Sequence, residues 1–155
     1  FNKMELDNPS SVRKKIMDFL AIREHSAKEV YKKLCNKVES LDILSQAIDK
    51  LIMEGLLDDK RFAEQYLHSR INKGFGPLRI KQELKNKGVN ILEIESLIDS
   101  KDWTSKARQV LQKKIKHMTS LESKEILKLK RFLNYRGFDY MDIDEAFNFI
   151  RQEDL

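Results

Sequence analysis

Apolar side chains return at helical spacing along the chain, and they do so in register with one another. Leu34, Leu84 and Leu133 stand 50 and 49 residues apart, and a base follows each three residues later: Lys37, Lys87 and Arg136. A fixed period of this size marks a repeat architecture. Ten residues beyond each leucine, Leu44, Ala47 and Ile48 correspond without gaps to Ile94, Leu97 and Ile98, and to Ile143, Ala146 and Phe147. Positions at i, i+3 and i+4 form one face of an α-helix. One turn before each leucine lie Val30, Ile80 and Leu129, and almost another turn earlier Ala27, Pro77 and Ile126, which predicts a second helix per repeat. A first helix precedes it, carried by Ile16, Phe19 and Leu20, then by Phe62, Tyr66 and Ile71, then by Ala107, Val110, Leu111 and Ile115.

The pattern predicts an all-α fold of three tandem three-helix repeats, about nine helices, over residues 10–56, 57–100 and 101–150. Punctuation agrees: Ser26 suits an N-cap, Gly55, Gly88 and Gly137 suit left-handed helix ends, and Pro77 suits a first helical turn. Val38 stands where the other repeats have Gly88 and Gly137, so the first repeat is expected to leave its middle helix by another turn. A repeat of about 45 residues buries too little apolar surface to stand alone. Stacking as in a solenoid is expected, giving an elongated array with a continuous face for another macromolecule.

Composition narrows the function classes. Hydrophobic residues make up 41% and charged residues 35%, with five Gly and two Pro, which favours helix with a highly charged surface. The net charge of +5 tilts toward an acidic partner such as nucleic acid without approaching a histone-like polycation. Cys35 is the only cysteine, which excludes an internal disulfide and fits a reducing cytosol, and His25, His68 and His117 show no zinc-site spacing. No apolar run approaches the roughly 20 residues that cross a bilayer, and no secretory leader opens the chain, so no membrane partner is expected. Phe1 in place of a Met leads to the expectation that the native start lies upstream.

The most distinctive stretch holds Gly55, Asp58, Asp59, Arg61, Phe62, Ala63 and Tyr66, then Gly74, Gly76, Pro77, Arg79 and Ile80, then Leu84, Lys87, Gly88 and Val89. This ordered set resembles the signature of the RecX family of bacterial RecA modulators. The resemblance extends to Arg23, Glu24, His25 and Ser26 and to Phe132, Leu133, Arg136, Gly137 and Phe138, covering roughly residues 12 to 150. It implies a cytoplasmic bacterial protein that binds RecA and RecA–DNA filaments. In the family such proteins lie in the helical groove and restrain ATP hydrolysis, strand exchange and the coprotease activity behind the SOS response. Periodicity by itself implies none of this.

Several constellations carry candidate chemistry beside a plainer reading. The adjacent carboxylates Asp58 and Asp59 are of a type used in acid–base or metal sites, yet at a helix start they read first as caps. Gly74, Phe75, Gly76 and Pro77 open a helix whose free amides can receive a phosphate; a plain turn is the simpler expectation, with Phe75 open between core and partner contact. From Lys101 to Arg136 eleven bases face three acids, a net of +8, while residues 137–155 hold one base, Arg151, and six acids, Asp154 among them, a net of −5.

Within the basic segment, Lys124, Lys128, Arg131 and Tyr135 fall at i, i+4, i+7 and i+11, opposite Ile126, Leu129 and Leu133. On the preceding helix Lys106, Gln109, Lys113 and Lys116 share the face away from Ala107, Val110 and Leu111. Like charges so spaced repel by a few tenths of a kcal/mol per pair, so helix stability is not their purpose. An anionic partner is favoured over a solvated face. Arg70, Lys73, Arg79, Lys85 and Lys87 form a second, weaker surface, equally open to partner contact and solvation. Trp103 and Cys35 read as core residues.

No nucleophile, metal set or phosphate loop emerges, so no catalytic, cofactor-binding or metal-binding residue is expected, and a monomer is the simplest state. The expected activity is regulation through RecA, with or without direct contact to single- or double-stranded DNA. Two other classes stand beside it: a stand-alone helical DNA-binding module, since three-helix units resemble helix-turn-helix arrangements, and a helical scaffold that binds protein alone.

Overall fold

A computed structural model of the chain describes residues 6–153, so Phe1 and Asp154 lie outside the described residues. The described residues form nine α-helices in three consecutive triplets. These are α1 (Pro9–Ile22), α2 (Ala27–Leu34) and α3 (Leu41–Met53), then α4 (Asp59–Asn72), α5 (Pro77–Asn86) and α6 (Glu95–Asp99), then α7 (Trp103–Ile115), α8 (Ser123–Tyr135) and α9 (Tyr140–Glu153). An isolated parallel bridge joins Leu6 and Val38. The helices divide into two compact units: one runs to Gln65 and includes Leu84–Asn90, the other holds Tyr66–Glu83 and the chain from Ile91 onward.

In the first unit each helix starts on a side-chain cap. Asn8 accepts from the amide of Ser11 ahead of Pro9, and Ser40 accepts from the amide of Ile43. Ser26 and Glu29 form a reciprocal capping box with two bonds of 3.1 Å, which supplies two of the donors that a helix start leaves unmet. Helices α1 and α2 pack on α3 through Val12 and Ile16, Val30 and Leu34, and Leu44, Ile48 and Leu51, joined by Leu57 and Val38. Val38 is buried and bridged to Leu6, whereas Gly88 and Gly137 adopt positive φ, so the first repeat leaves its middle helix differently. Cys35 packs against this core but is only half-buried, at its rim and not within it as expected; its thiol faces the carbonyl of Lys32 in the last turn of α2.

The two adjacent carboxylates are structural. Asp58 accepts from the amides of Lys60 and Arg61 at 2.9 and 3.2 Å, capping α4. Asp59 accepts from the amide of Ala27 at 2.8 Å and so ties the start of α4 to the start of α2. Arg61 bonds Glu24 at 2.7 Å and donates to the carbonyls of Gly55 and Leu56. His25 is buried, stacked on Phe19, with Nδ1 against the Arg23 carbonyl and Nε2 2.8 Å from the Lys33 ammonium. A neutral ring that donates from Nδ1 and accepts at Nε2 satisfies both contacts.

The second unit centres on α7, α8 and α9. Trp103, Ala107 and Leu111 meet Leu129 and Leu133, and Ile143, Ala146, Phe147 and Ile150, with Phe138 fully buried. Trp103 donates from Nε1 to the carbonyl of Ile98 at 2.8 Å and meets Phe138 edge-on, so it is a core residue. Thr104 donates to Asp142 and Glu145, fastening α7 to α9.

The pattern of apolar residues is corrected at three places. Leu67 is the fully buried residue of its stretch of α4, while Tyr66 and Ile71 are half-buried. The third helix of the middle repeat shrinks to a 3-10 turn, Ile91–Glu93, and the five residues of α6, because Ile94 offers no side-chain cap and Asp102 already caps α7. Val110 is half-buried and lies on the polar side of α7.

The start of α5 is plugged into the end of α8. The amide of Gly76 donates to the Arg136 carbonyl at 2.8 Å, and that of Leu78 to the Gly137 carbonyl at 3.0 Å. A Cβ built on Gly76 would lie 2.4 Å from the carbonyl carbon of Gly137, and one on Gly137 would lie 2.4 Å from the Cβ of Arg79. These amides are therefore not free for a phosphate, and the turn reading of Gly74–Pro77 holds. Gly76→Ala is expected to destabilise the protein by about 1–3 kcal/mol, since backbone and not a flexible side chain must give way; urea unfolding measures this.

Buried His25 and half-buried Glu29 both contribute to the response to acid. Burial pushes the Glu29 carboxyl up, but bonds from Arg23 and the Ser26 amide and the charges of Arg23 and Lys87 outweigh it and hold the pKa at about 2, against an ordinary 4.5. Burial lowers His25 from 6.5, against the Arg23 carbonyl bond and the Glu29 charge and with the Arg23 and Lys33 charges. In both cases the unfolded chain takes the proton first, so stability falls as pH drops. Urea midpoints are expected to decline first below about pH 6.5 and again below about pH 4.5, and His25→Asn should abolish the first decline only.

Candidate functional site

The basic positions separate into those already occupied inside the molecule and those left open. Arg70 grips Glu83 through two bonds of 2.9 and 2.8 Å, Arg79 reaches the same carboxylate at 3.3 Å, and Tyr66 donates to it at 2.9 Å. Burial pushes Glu83 up, but these bonds prevail and its pKa is lowered. Lys87, in the first unit, pairs with Glu29 at 3.3 Å. Arg70, Arg79 and Lys87 thus hold the fold together, which the sequence pattern did not separate from partner contact. Lys85 is exposed in the first unit and Lys73 is exposed in the second.

Phe75 has an unusual neighbourhood. The guanidinium carbons of Arg70, Arg79 and Arg136 stand 3.7, 4.6 and 4.7 Å from its ring centroid. The ring faces supply the negative side of the aromatic quadrupole, so a half-buried phenylalanine gathers three cations, two of which also bond Glu83. Phe75 is therefore an internal organiser. Arg136 also donates to the carbonyl of Lys73 at 2.9 Å.

The stripe on α8 is present as the periodicity predicts. Lys124, Lys128, Arg131 and Tyr135 are exposed, and Leu129 and Leu133 are buried on the opposite side. Among the described residues Lys124, Lys128 and Arg131 have no ion-pair partner, in contrast to Lys130, which pairs with Asp144 at 3.1 Å. Tyr135 is 75% exposed with the Arg79 guanidinium 5.2 Å from its ring centre, so the stripe ends in a cation-braced aromatic.

On α7 the expected face splits. Lys106, Gln109 and Lys113 line a groove of about 420 Å³ together with Lys73, Gly74, Lys114, Phe132 and Arg136, and Val110 contributes apolar floor. Lys116, at the end of α7, is exposed outside it. Val110 therefore lies with the lysines and not with Ala107 and Leu111. Lys114 stands 4.4 Å and Arg136 4.9 Å from the Phe132 ring centre, which pins both cations. Five bases line the groove and no acid does. Lys114 and Arg136 were not among the candidates read from the sequence, although Arg136 recurs as the base after each repeat's anchor leucine and both belong to the basic segment from Lys101 to Arg136.

Among the described residues no three His, Cys, Asp or Glu side chains come together as metal ligands, and no helix is long and apolar enough to cross a membrane.

The sequence matches the description "RecX, second three-helix domain" over residues 58–96 and "RecX, third three-helix domain" over residues 102–147. A regulatory protein RecX of Pseudomonas savastanoi pv. phaseolicola is 35% identical over 135 residues, 86% of this chain and 87% of the relative. One from Legionella pneumophila is 38% identical over 138 residues, 88% of this chain and 92% of the relative. The crystal structure of RecX from Lactobacillus salivarius superimposes with a TM-score of 0.79 at 28% identity, covering 93% of this chain and 97% of that one.

The internal role of Glu83 is testable. Glu83→Ala strands two guanidiniums and a tyrosine hydroxyl and is expected to destabilise the protein by about 1–3 kcal/mol in urea unfolding, whereas Lys124→Ala should change stability by less than about 0.5 kcal/mol.

Proposed function

The chain belongs to the RecX family of regulatory proteins, and from that premise we propose that it binds RecA and RecA–DNA filaments and restrains RecA. The activities it restrains are ATP hydrolysis, strand exchange and coprotease action, in recombination, repair and the SOS response of the bacterial cytoplasm. The chain works as a binding protein, as a monomer, and catalyses no reaction of its own. The three-helix segments 10–56, 57–100 and 101–150 are its units of contact along the filament's groove.

The observation that carries the anionic part of this reading is the stripe of Lys124, Lys128 and Arg131, exposed and without an ion-pair partner among the described residues. Unpaired cations on one helix face attract phosphates or an acidic protein surface over distances near the Debye length, about 10 Å at 0.1 M salt. Lys87, paired with Glu29, is poorly placed for such a role.

The test is the ATPase rate of the cognate RecA on single-stranded DNA, with and without this protein at substoichiometric amounts. A fall in rate is expected, and no change at amounts equal to RecA would sink the proposal. The triple substitution Lys124→Ala, Lys128→Ala, Arg131→Ala should leave helicity unchanged and weaken the effect. It should also flatten the dependence of binding on log salt by up to about three if all three charges meet phosphates. Undiminished restraint by the triple variant would remove the stripe from the site.

A further inference from the structure

The geometry points to a second binding site: the groove of the second unit is a pocket for the phosphate groups of a nucleotide. This deepens the reading above by naming a ligand chemistry, and it rests on that reading only in taking the ligand as an anion.

Charge makes the first case. Lys73, Lys106, Lys113, Lys114 and Arg136 converge on about 420 Å³ with no carboxylate in the lining. Other half-buried bases of this protein are answered by acids, Arg70 and Arg79 by Glu83, Lys87 by Glu29 and Lys130 by Asp144, whereas Arg136 meets none among the described residues. Five cations in one small volume repel one another, and a ligand that relieves this must carry several charges close together. Linked phosphates do so. Carboxylates of an acidic peptide carry one charge each and sit apart along a backbone.

Shape and preorganisation make the second case. The volume lies in the range of small-ligand clefts, roughly 300–1,000 Å³, unlike the open stripe on α8. Lys114 and Arg136 are held by the Phe132 ring, and Arg136 also by the Lys73 carbonyl, so two cations are already positioned. Lys106 and Lys113 lie two turns apart on α7 with the amide of Gln109 between them. Gly74 keeps the floor open: a Cβ there would lie 3.2 Å from Val110 and 3.4 Å from the Arg136 guanidinium, at a φ of +86° that side chains rarely adopt.

The shared chemistry has two sources, a nucleotide in solution or one within a nucleic-acid strand, and the experiment separates them. Calorimetric titration of the intact protein, without RecA, uses sodium tripolyphosphate, ATP and an oligothymidylate of about 15 nucleotides as probes at low salt. Lys106→Ala with Lys113→Ala is expected to weaken binding about tenfold or more. Gln109→Glu, which sets a carboxylate among the cations, should do the same, while Lys124→Ala with Lys128→Ala leaves the small probes unaffected. Tripolyphosphate and ATP binding lost with the groove variants assigns the pocket to a nucleotide in solution. Loss confined to the oligonucleotide assigns it to a strand. Binding that the groove variants leave unchanged, no binding of any probe, or equal binding of hexaglutamate overturns the inference. Because RecA is absent, a failure here leaves the RecA reading untouched, and unaltered RecA ATPase would leave this pocket untouched.

Discussion

At Gly76 and Gly137 two lengths of backbone meet with no space for a side-chain carbon, and the arrangement of the second unit follows from that contact. A helix start has amides without partners and a helix end has carbonyls without partners. Here the two deficits cancel, since the amides of Gly76 and Leu78 bond the carbonyls of Arg136 and Gly137. The positive pole of α5 faces the negative pole of α8, an arrangement the helix dipoles also favour. The same contact draws Phe75, Arg79, Tyr135 and Arg136 together, and it seats Arg136 beside Lys73 at the edge of the groove. The amides of Gly76 and Leu78 are thereby closed to an anion, which leaves the neighbouring basic side chains to meet one.

Side chains in turn are divided by a shortage of suitably placed acids. Glu83 serves Arg70 and Arg79, Glu29 serves Arg23 and Lys87, and Asp144 serves Lys130. Asp142 and Glu145 in the acidic last helix accept from Thr104. The bases on the outer faces of α7 and α8 are left to repel one another in the unbound protein. Each such repulsion is small in water, but it is removed whenever an anion settles among them, so it adds to the difference between free and bound states.

Much of the fold was legible because its signal is local. Leucines 50 and 49 residues apart and their neighbours at i+3 and i+4 report helix faces, and Leu34, Leu84 and Leu133 are all fully buried. Ser26 carries its capping box in its own sequence. Long-range partnerships were not legible. Nothing in a single sequence says that Arg70 will meet Glu83, 13 residues on, and not solvent. Val110 shows the same limit: its spacing fits the Ala107 face, yet the shape of the neighbouring Gly74 turn turns that spot into groove. The stripe on α8 was readable because exposure there depends only on lying opposite Leu129 and Leu133, whereas the groove depends on residues from 71 to 138 converging.

Stripe and groove differ in how their cations are held, and that difference predicts different selectivity. Lys124 and Lys128 end in ammonium groups on flexible four-carbon stems, which follow a charged surface with little demand on its geometry but lose rotamer freedom when they bind. Such contacts give affinity and steering and discriminate poorly among phosphate arrays. In the groove, Arg136 is fixed by Phe75, Phe132 and the Lys73 carbonyl, and Lys114 by Phe132. Arg136, half-buried among three partners, has already given up much of its freedom during folding, so less is lost on binding and the position of the anion matters more. A partner whose charges vary in position is served by the first kind of contact. A fixed station for one phosphate-bearing group is served by the second, and both stand on the same two helices because α7 and α8 each commit one face to the core and leave the other to charge.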